Sequence, residues 1–268
     1  MYHYDLGNNF YKLWLDKTMT YSSAFFKKET ESLHDAQENK YQLLIDELKI
    51  NSNHKVLEIG CGWGGFAEYT AKTVGCQITG VTISPSQLKF SKARIKNKGL
   101  EKNVTLELCD YRDIKGTYDR IVSIEMIEAV GEKYWISYFK KIKESLKKDG
   151  LAGIQVILIN DKSYEKYSNS VDFIQKYVFP GGMLPSQEKL NESYKEVGLK
   201  EIKSISFGRS YAKTLGLWHN DFIRSIKSIR KLGFDDRLEK IFRYYFSYCK
   251  AGFNSEKIDV VQKIIKID

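Results

Sequence analysis

"KVLEIGCGWGG" (residues 55–65) is the stretch whose reading decides the fold. It begins as a short apolar run of strand composition and breaks into glycines just before "GFAEYTAKTV", where apolar residues recur at helical spacing. A strand that passes through a glycine turn into a helix brings bare backbone N–H groups to the strand's carboxyl end, where any side chain would block a ligand. Outward from it, "QITGVTI", "VTLELCD", "YDRIVSIEM" and "LAGIQVILI" read as further strands, and "SQLKFSKARIKNKG" and "YWISYFKKIKESLKKDG" as amphipathic helices, the latter with a glycine stop. Strands alternating with helices of this length predict an open, mostly parallel sheet with helices on both faces. Such sheets bind ligands beyond the carboxyl ends of their strands.

After Asp161 the alternation weakens. "SNSVDFIQKYVFPGGMLPS" predicts a helix and a Pro/Gly loop, "QEKLNESYKEVG" a helix and "KEIKSISFG" a strand. A long helical stretch from Tyr211 to about Lys250 follows, before a last strand "IDVVQKIIKI", which brings the expected sheet to seven strands. The organisation expected is a single catalytic domain over residues 1–268. Residues 1–52 would form an aromatic-rich, mostly helical cover, 53–160 the Rossmann-like core, and 161–268 the helices and last strands that close over the site.

The 43 Lys and Arg residues outnumber the 34 Asp and Glu, for a formal net charge of +9. Such a surface favours nucleic acid, anionic lipid or a phosphorylated cofactor, although a lysine-rich solvated surface reads the same way. Cys61, Cys76, Cys109 and Cys249 contain no C-x-x-C pair and the four histidines are scattered, so the expectation is a reducing cytosol and no metal site. No stretch approaches the roughly 20 apolar residues of a membrane span, and the start lacks a signal-peptide profile. Membrane contact is therefore expected to be peripheral, at the inner face.

The glycine turn alone is ambiguous. Gly60, Gly62 and Gly65 satisfy the dinucleotide pattern G-x-G-x-x-G, whereas Gly60, Gly62 and Gly64 satisfy the E/D-x-G-x-G-x-G of S-adenosylmethionine (SAM) methyltransferases. Glu58 stands where the second pattern needs its acid, and the second strand ends in "VTIS" without the acid that grips an NAD ribose, so SAM is favoured. In "TISPSQ", Ser84 is an N-cap, Pro85 suits the first helical position and Gln87 would complete a capping box. The same turn puts Thr82, Ile83 and Gln87 within reach of a nucleoside. In "LCDYRD", Asp110 and Tyr111 could face adenine, or form a charged loop without a ligand. "SIEMIEAVG" places Glu125 and Glu128 at the end of the fourth strand, where a carboxylate could balance a sulfonium or anchor a proton-accepting anion. Both could equally be dipole partners of the helix that follows. No N/D-P-P-Y/F motif follows that strand, so nucleic-acid methylation is not expected.

With "HYDLGN", "YSSAFF", "LEIGCGWGG", "GVTISPSQ", "DYRD", "DRIVSIEMIEAVG", "YVFPGGMLPS" and "YAKTLGLW" in this order, the sequence closely resembles the cyclopropane-fatty-acyl-phospholipid synthase and mycolic-acid cyclopropane synthase family. It is nearest the branch carrying E-M-I-E-A-V-G. The resemblance implies a class I SAM methyltransferase that transfers a methylene bridge to a cis double bond of a phospholipid acyl chain, through a carbocation deprotonated by bound bicarbonate. On the same ground, a C-methyltransferase leaving a methyl or methylene branch is the alternative.

The resemblance also implies site residues. Ser23, Glu128, Gln155, the backbone of Ile157 and Tyr211 correspond to the bicarbonate pocket, with Ser23 and Gln155 standing where most relatives have Cys and His. Tyr21, Ser22, Gly60, Gly62, Thr82, Ile83, Gln87, Tyr111 and Arg112 correspond to the SAM site. Phe25, Trp63, Tyr177, Phe179 and Trp218 are the aromatics expected near an acyl slot. The uncharged "TYSSAFF" (residues 20–26) would act as a lid, with Ala24, Phe25 and Phe26 turned to the core or the slot. An unsaturated phospholipid at a membrane surface is the implied partner, with homodimerisation left open. Many bacterial relatives carry a further domain before "HYDLGN", so the chain reads as a compact form or a fragment.

Overall fold

The computed structural model describes residues 6–268. The beginning of "HYDLGN", His3 to Asp5, lies outside them. A short helix α1 (Asn8–Tyr11) and a longer α2 (Leu33–Glu47) precede the sheet. The core then alternates β1 (Lys55–Ile59), α3 (Gly65–Val74), β2 (Gln77–Thr82), α4 (Pro85–Asn97), β3 (Val104–Leu108), β4 (Tyr118–Ile124), α5 (Ile127–Val130), α6 (Trp135–Ser145) and β5 (Leu146–Ile159). Helices α7 (Asp161–Ser168), α8 (Phe173–Tyr177) and α9 (Gln187–Glu196) lead to β6 (Leu199–Ser206). Helices α10 (Gly208–Arg224), α11 (Ile226–Lys231) and α12 (Asp236–Asn254) then precede β7 (Ile258–Ile267).

The seven strands form one sheet in the order β3-β2-β1-β4-β5-β7-β6, in which β7 alone is antiparallel to its neighbours. The order reverses beside β1, and β1 and β4 therefore open a crevice at their carboxyl ends. One sheet face is covered by α5, α6 and α9 through Trp135, Tyr138, Phe139, Ile142 and Tyr194, and the other by α2 and α3 through Tyr41, Leu44, Ile45, Phe66 and Ala67. A third, aromatic cluster sits over the carboxyl edge. It joins Phe10, Trp14 and Tyr21 of the leading segment to Tyr211, Trp218 and Phe222 of α10 and Phe242, Tyr245 and Phe246 of α12.

Four local expectations are corrected. The cover over residues 1–52 is helical in α1 and α2, but residues 17–32 contain no helix. The "TYSSAFF" stretch is an extended strap, held because Phe25 N–H bonds to the Ala36 carbonyl, Ala24 N–H to the Thr214 hydroxyl and Phe26 N–H to the Ser210 hydroxyl. Helix α6 ends at Ser145 rather than at Gly150, because Leu146 is buried and already pairs with Tyr118 of β4. Gly150 instead leaves room for Leu146, whose Cδ1 would lie 2.7 Å from a side chain there. The helical stretch after Tyr211 breaks at Ser225, whose hydroxyl donates to the Leu13 carbonyl, and at Gly233, with φ of 92°. Finally, Gln87 does not complete a capping box. Ser84 Oγ accepts the Gln87 N–H as expected, but the Ser84 N–H is taken by the Thr82 hydroxyl, and the Gln87 side chain accepts from that same hydroxyl.

Candidate active site

A cavity of about 620 Å³ opens at the carboxyl ends of β1, β2, β3 and β4, within the roughly 300–1,000 Å³ typical of small-molecule sites. Its floor is the turn after β1. Gly60 (φ 81°) and Gly62 (φ 51°) adopt left-handed backbone that any other residue reaches only with strain. A Cβ on Gly60 would lie 3.1 Å from Met126 Cγ, so this glycine also lets the β1 turn sit against the end of β4. Gly64 is absent from the lining. A Cβ there would meet Ser91 at 3.0 Å, so its bareness serves the packing of α3 on α4 rather than a ligand.

The strands supply one wall each. Glu58 of β1 lines the cavity from a buried position; burial raises its carboxyl to about 8, with Lys40 and Arg94 pulling the other way. Thr82 ends β2 and Ile83 and Gln87 follow it, Ile83 being 74% exposed at the mouth. After β3, Asp110 accepts two bonds from the Arg112 guanidinium (2.9 and 2.7 Å) and one from its N–H, and this pairing holds the Asp110 carboxyl below its usual range. Tyr111 lies between that pair and the edge of Tyr138. From the leading segment, Tyr21 and Ser22 complete the lining, and Trp63 is pinned by its indole N–H to Asn8 Oδ1 at 2.7 Å. The left-handed glycine turn, the hydroxyl and amide at the end of β2, the acid on β1 and the apolar patches suit SAM, with its amino-acid tail, ribose and adenine.

At the β4 end stands Glu125, with φ of 49°, one of the residues that line the cavity. Its Oε1 accepts the Ser23 N–H and the Gln155 amide, each at 2.8 Å, and its Oε2 accepts the Tyr211 hydroxyl at 2.8 Å. Gln155 is itself fixed by Gln262, whose amide N–H donates to the Gln155 side-chain Oε1 at 3.0 Å. Ser23 takes part through its backbone only, since its hydroxyl donates to the Ala24 carbonyl. The three donors expected to hold bicarbonate therefore converge on a side chain of the protein, and none of Ser23, Gln155 and Tyr211 belongs to the cavity lining. Bicarbonate does not fit donors arranged in this way. Glu128 points elsewhere: its Oε1 accepts the Ile157 N–H at 2.6 Å, while its Oε2 is buried without a partner. Burial and the neighbouring Glu125 raise its carboxyl to about 8.

Sequence reasoning missed Lys40. This residue of α2 is fully buried, and its Nζ donates to the Ser22 hydroxyl at 2.7 Å. Burial lowers its ammonium pKa and raises that of the Glu125 carboxyl, while each favours the charged form of the other. A signal was available in "AQENKYQLLIDEL": Gln37 and Lys40 share the apolar stripe of Ala36, Tyr41, Leu44 and Ile45, where a charge needs a reason. Of the aromatics expected around an acyl slot, only Trp63 lines this cavity. Trp218 is fully buried against Tyr21 (5.4 Å), which also meets Phe179 (6.2 Å); Phe25 packs on Phe207, and Tyr177 is 43% exposed.

A family model described as Mycolic acid cyclopropane synthetase matches residues 1–263. Tuberculostearic acid methyltransferase UfaA1 of Mycobacterium tuberculosis is 36% identical, over 97% of this chain and 62% of its own length. Cyclopropane-fatty-acyl-phospholipid synthase of Escherichia coli K12 is 35% identical, over 98% of this chain and 66% of its own length. The chain thus spans just under two thirds of the length of these relatives. Among solved structures, mycolic acid cyclopropane synthase CmaA1 complexed with SAH and CTAB superposes with a TM-score of 0.92 at 27% identity, covering 98% of this chain and 95% of that one.

Proposed function

The chain belongs to the mycolic acid cyclopropane synthetase family, and from that membership we propose that it is a SAM-dependent lipid methyltransferase that adds a methylene bridge to a cis double bond in an unsaturated phospholipid acyl chain. SAM, when bound, supplies a methyl group on a sulfonium. The Gly60 and Gly62 backbone and the Thr82–Gln87 pair would hold and orient it, and Tyr21 and Ser22 would cover it from the strap. The observation that carries the reading is one cavity with a nucleotide-type glycine turn at one end, a buried carboxylate at the other and an aromatic cluster overhead. Aromatic faces tolerate a developing cation without attacking it.

Lipid contact would be peripheral, because no helix among the described residues is long and apolar enough to cross a membrane. Tyr177, Tyr244 and Tyr248 are exposed beside Phe173 on α8 and α12, with Lys176 over the Tyr177 ring, a mixture suited to an anionic lipid surface. The test is incubation with SAM and vesicles of cis-unsaturated phospholipid, followed by mass spectrometry of the acyl chains. A gain of one CH2 per modified chain is expected, and intact SAM binding with no gain would refute the reading. The similarity to a tuberculostearic acid methyltransferase favours a second reading, a methyl- or methylene-branched product. Proton NMR separates a ring, with its high-field cyclopropyl signals, from a branch.

A further inference from the structure

We propose that the Glu125 carboxylate is itself the base that takes the proton from the added methyl group, in place of bound bicarbonate; this rests on the methylene-transfer reading above. Three observations lead to it. The Ser23 N–H, the Gln155 amide and the Tyr211 hydroxyl, coming from the strap, β5 and α10, all end on one carboxylate. Three such donors form a receptacle for an anion, and the anion they hold belongs to the chain. Glu125 is among the residues that line the cavity, whereas Ser23, Gln155 and Tyr211 are not.

The third observation is the backbone. Glu125 holds φ of 49°, a left-handed conformation that glycine adopts freely and a side-chain-bearing residue adopts only with strain. Its N–H donates to the Gln155 carbonyl at 2.8 Å, so the same residue clamps both its backbone and its side chain. Strain retained at the end of a strand, with the side chain delivered into a prepared receptacle, marks a group positioned for use. Lys40 supplies the buried positive charge that keeps a carboxylate tolerable there.

The step balances without a co-reactant. The alkene's π pair bonds to the methyl carbon while the carbon–sulfur pair stays on sulfur, leaving a cation at the other alkene carbon. Glu125 takes one proton from the new methyl, and the released C–H pair forms the third side of the ring. Glu125, now a neutral acid, loses its proton to water as the product leaves.

The experiment uses the full chain with SAM and cis-unsaturated phospholipid vesicles, in buffer stripped of carbon dioxide and in the same buffer with added bicarbonate. Wild-type turnover is expected to agree within about twofold in the two buffers. Glu125→Gly, which suits the backbone, should lose about 100-fold in stripped buffer, the scale of a general base, and recover at least about tenfold on adding bicarbonate. Carbon-13 bicarbonate NMR on the SAH-bound proteins reads the receptacle independently of activity: no binding to wild type, binding to Glu125→Gly. Wild-type turnover that collapses without bicarbonate, or bicarbonate binding to wild type, would overturn the inference. Absence of lipid turnover in every buffer would instead count against the methylene-transfer reading, while the NMR comparison still reports on the receptacle.

Discussion

The two ends of the cavity are built in opposite ways. At the cofactor end, the parts come from consecutive strand-to-helix turns: Gly60 and Gly62 after β1, Thr82 to Gln87 after β2, and Asp110 to Arg112 after β3. Each turn is made by its own few residues. The acidic end is assembled from Ser23, Lys40, Glu125, Gln155 and Tyr211, which the chain brings together across 188 positions. There, buried charges and donors satisfy one another, and no local rule makes them. A local turn can fail alone, whereas a buried polar network fails or holds as a unit.

Substitutions at the two ends should separate accordingly. The largest effect is expected for Glu125→Gln, which keeps the shape and removes the proton acceptor: kcat should fall by about 100-fold or more, with SAM affinity by calorimetry nearly unchanged. Equal losses in both would dissolve the distinction between the ends. Gly60→Ala should do the reverse, weakening SAM binding by about tenfold through left-handed strain and the Met126 contact, with a smaller effect on turnover at saturating SAM. Tyr211→Phe removes one of three donors to Glu125 and should lower kcat by about tenfold or somewhat more, in line with the roughly 1.5–3 kcal/mol of a hydrogen bond to a charged group.

The pH dependence of stability sharpens the same contrast. Glu58 and Glu128 are both raised to about 8 by burial, so the folded state holds more protons than the unfolded one between the ordinary carboxylate range and that value. Their contribution is complete at acidic pH and is lost as the pH rises through about 8, so the melting temperature should fall between about pH 5 and 8. Glu128→Gln should flatten that slope, by an amount on the order of 5 kcal/mol at most at the alkaline end. The smallest effect is expected for Ser23→Cys, no more than about threefold in turnover, because Ser23 reaches Glu125 through its N–H and not its hydroxyl.

What could be read in the sequence follows the same division. The glycine turn, the N-cap at Ser84, the strand alternation and the acid at position 58 depend on neighbours in the chain, and periodicity and turn chemistry expose them. The antiparallel placement of β7 between β5 and β6 depends on long-range pairing, which no local pattern encodes. "TYSSAFF" was legible as a site wall but not as an extended strap, because its backbone bonds go to α2 and α10 rather than to itself. Family resemblance alone implies an anion pocket at Ser23, Gln155 and Tyr211. That Glu125 fills their pocket was not legible, since it depends on where three remote donors meet. Lys40 escaped because a lysine in a helix reads as surface until its stripe is traced.

The claim on which the rest depends is methylene transfer to a lipid, and the most direct measurement is combined mass spectrometry and proton NMR of acyl chains recovered from cis-unsaturated phospholipid vesicles after incubation with SAM and the protein. The account predicts a gain of one CH2 per modified chain together with high-field cyclopropyl protons. Unmodified chains, from a protein that still binds SAM and the vesicles, would contradict it.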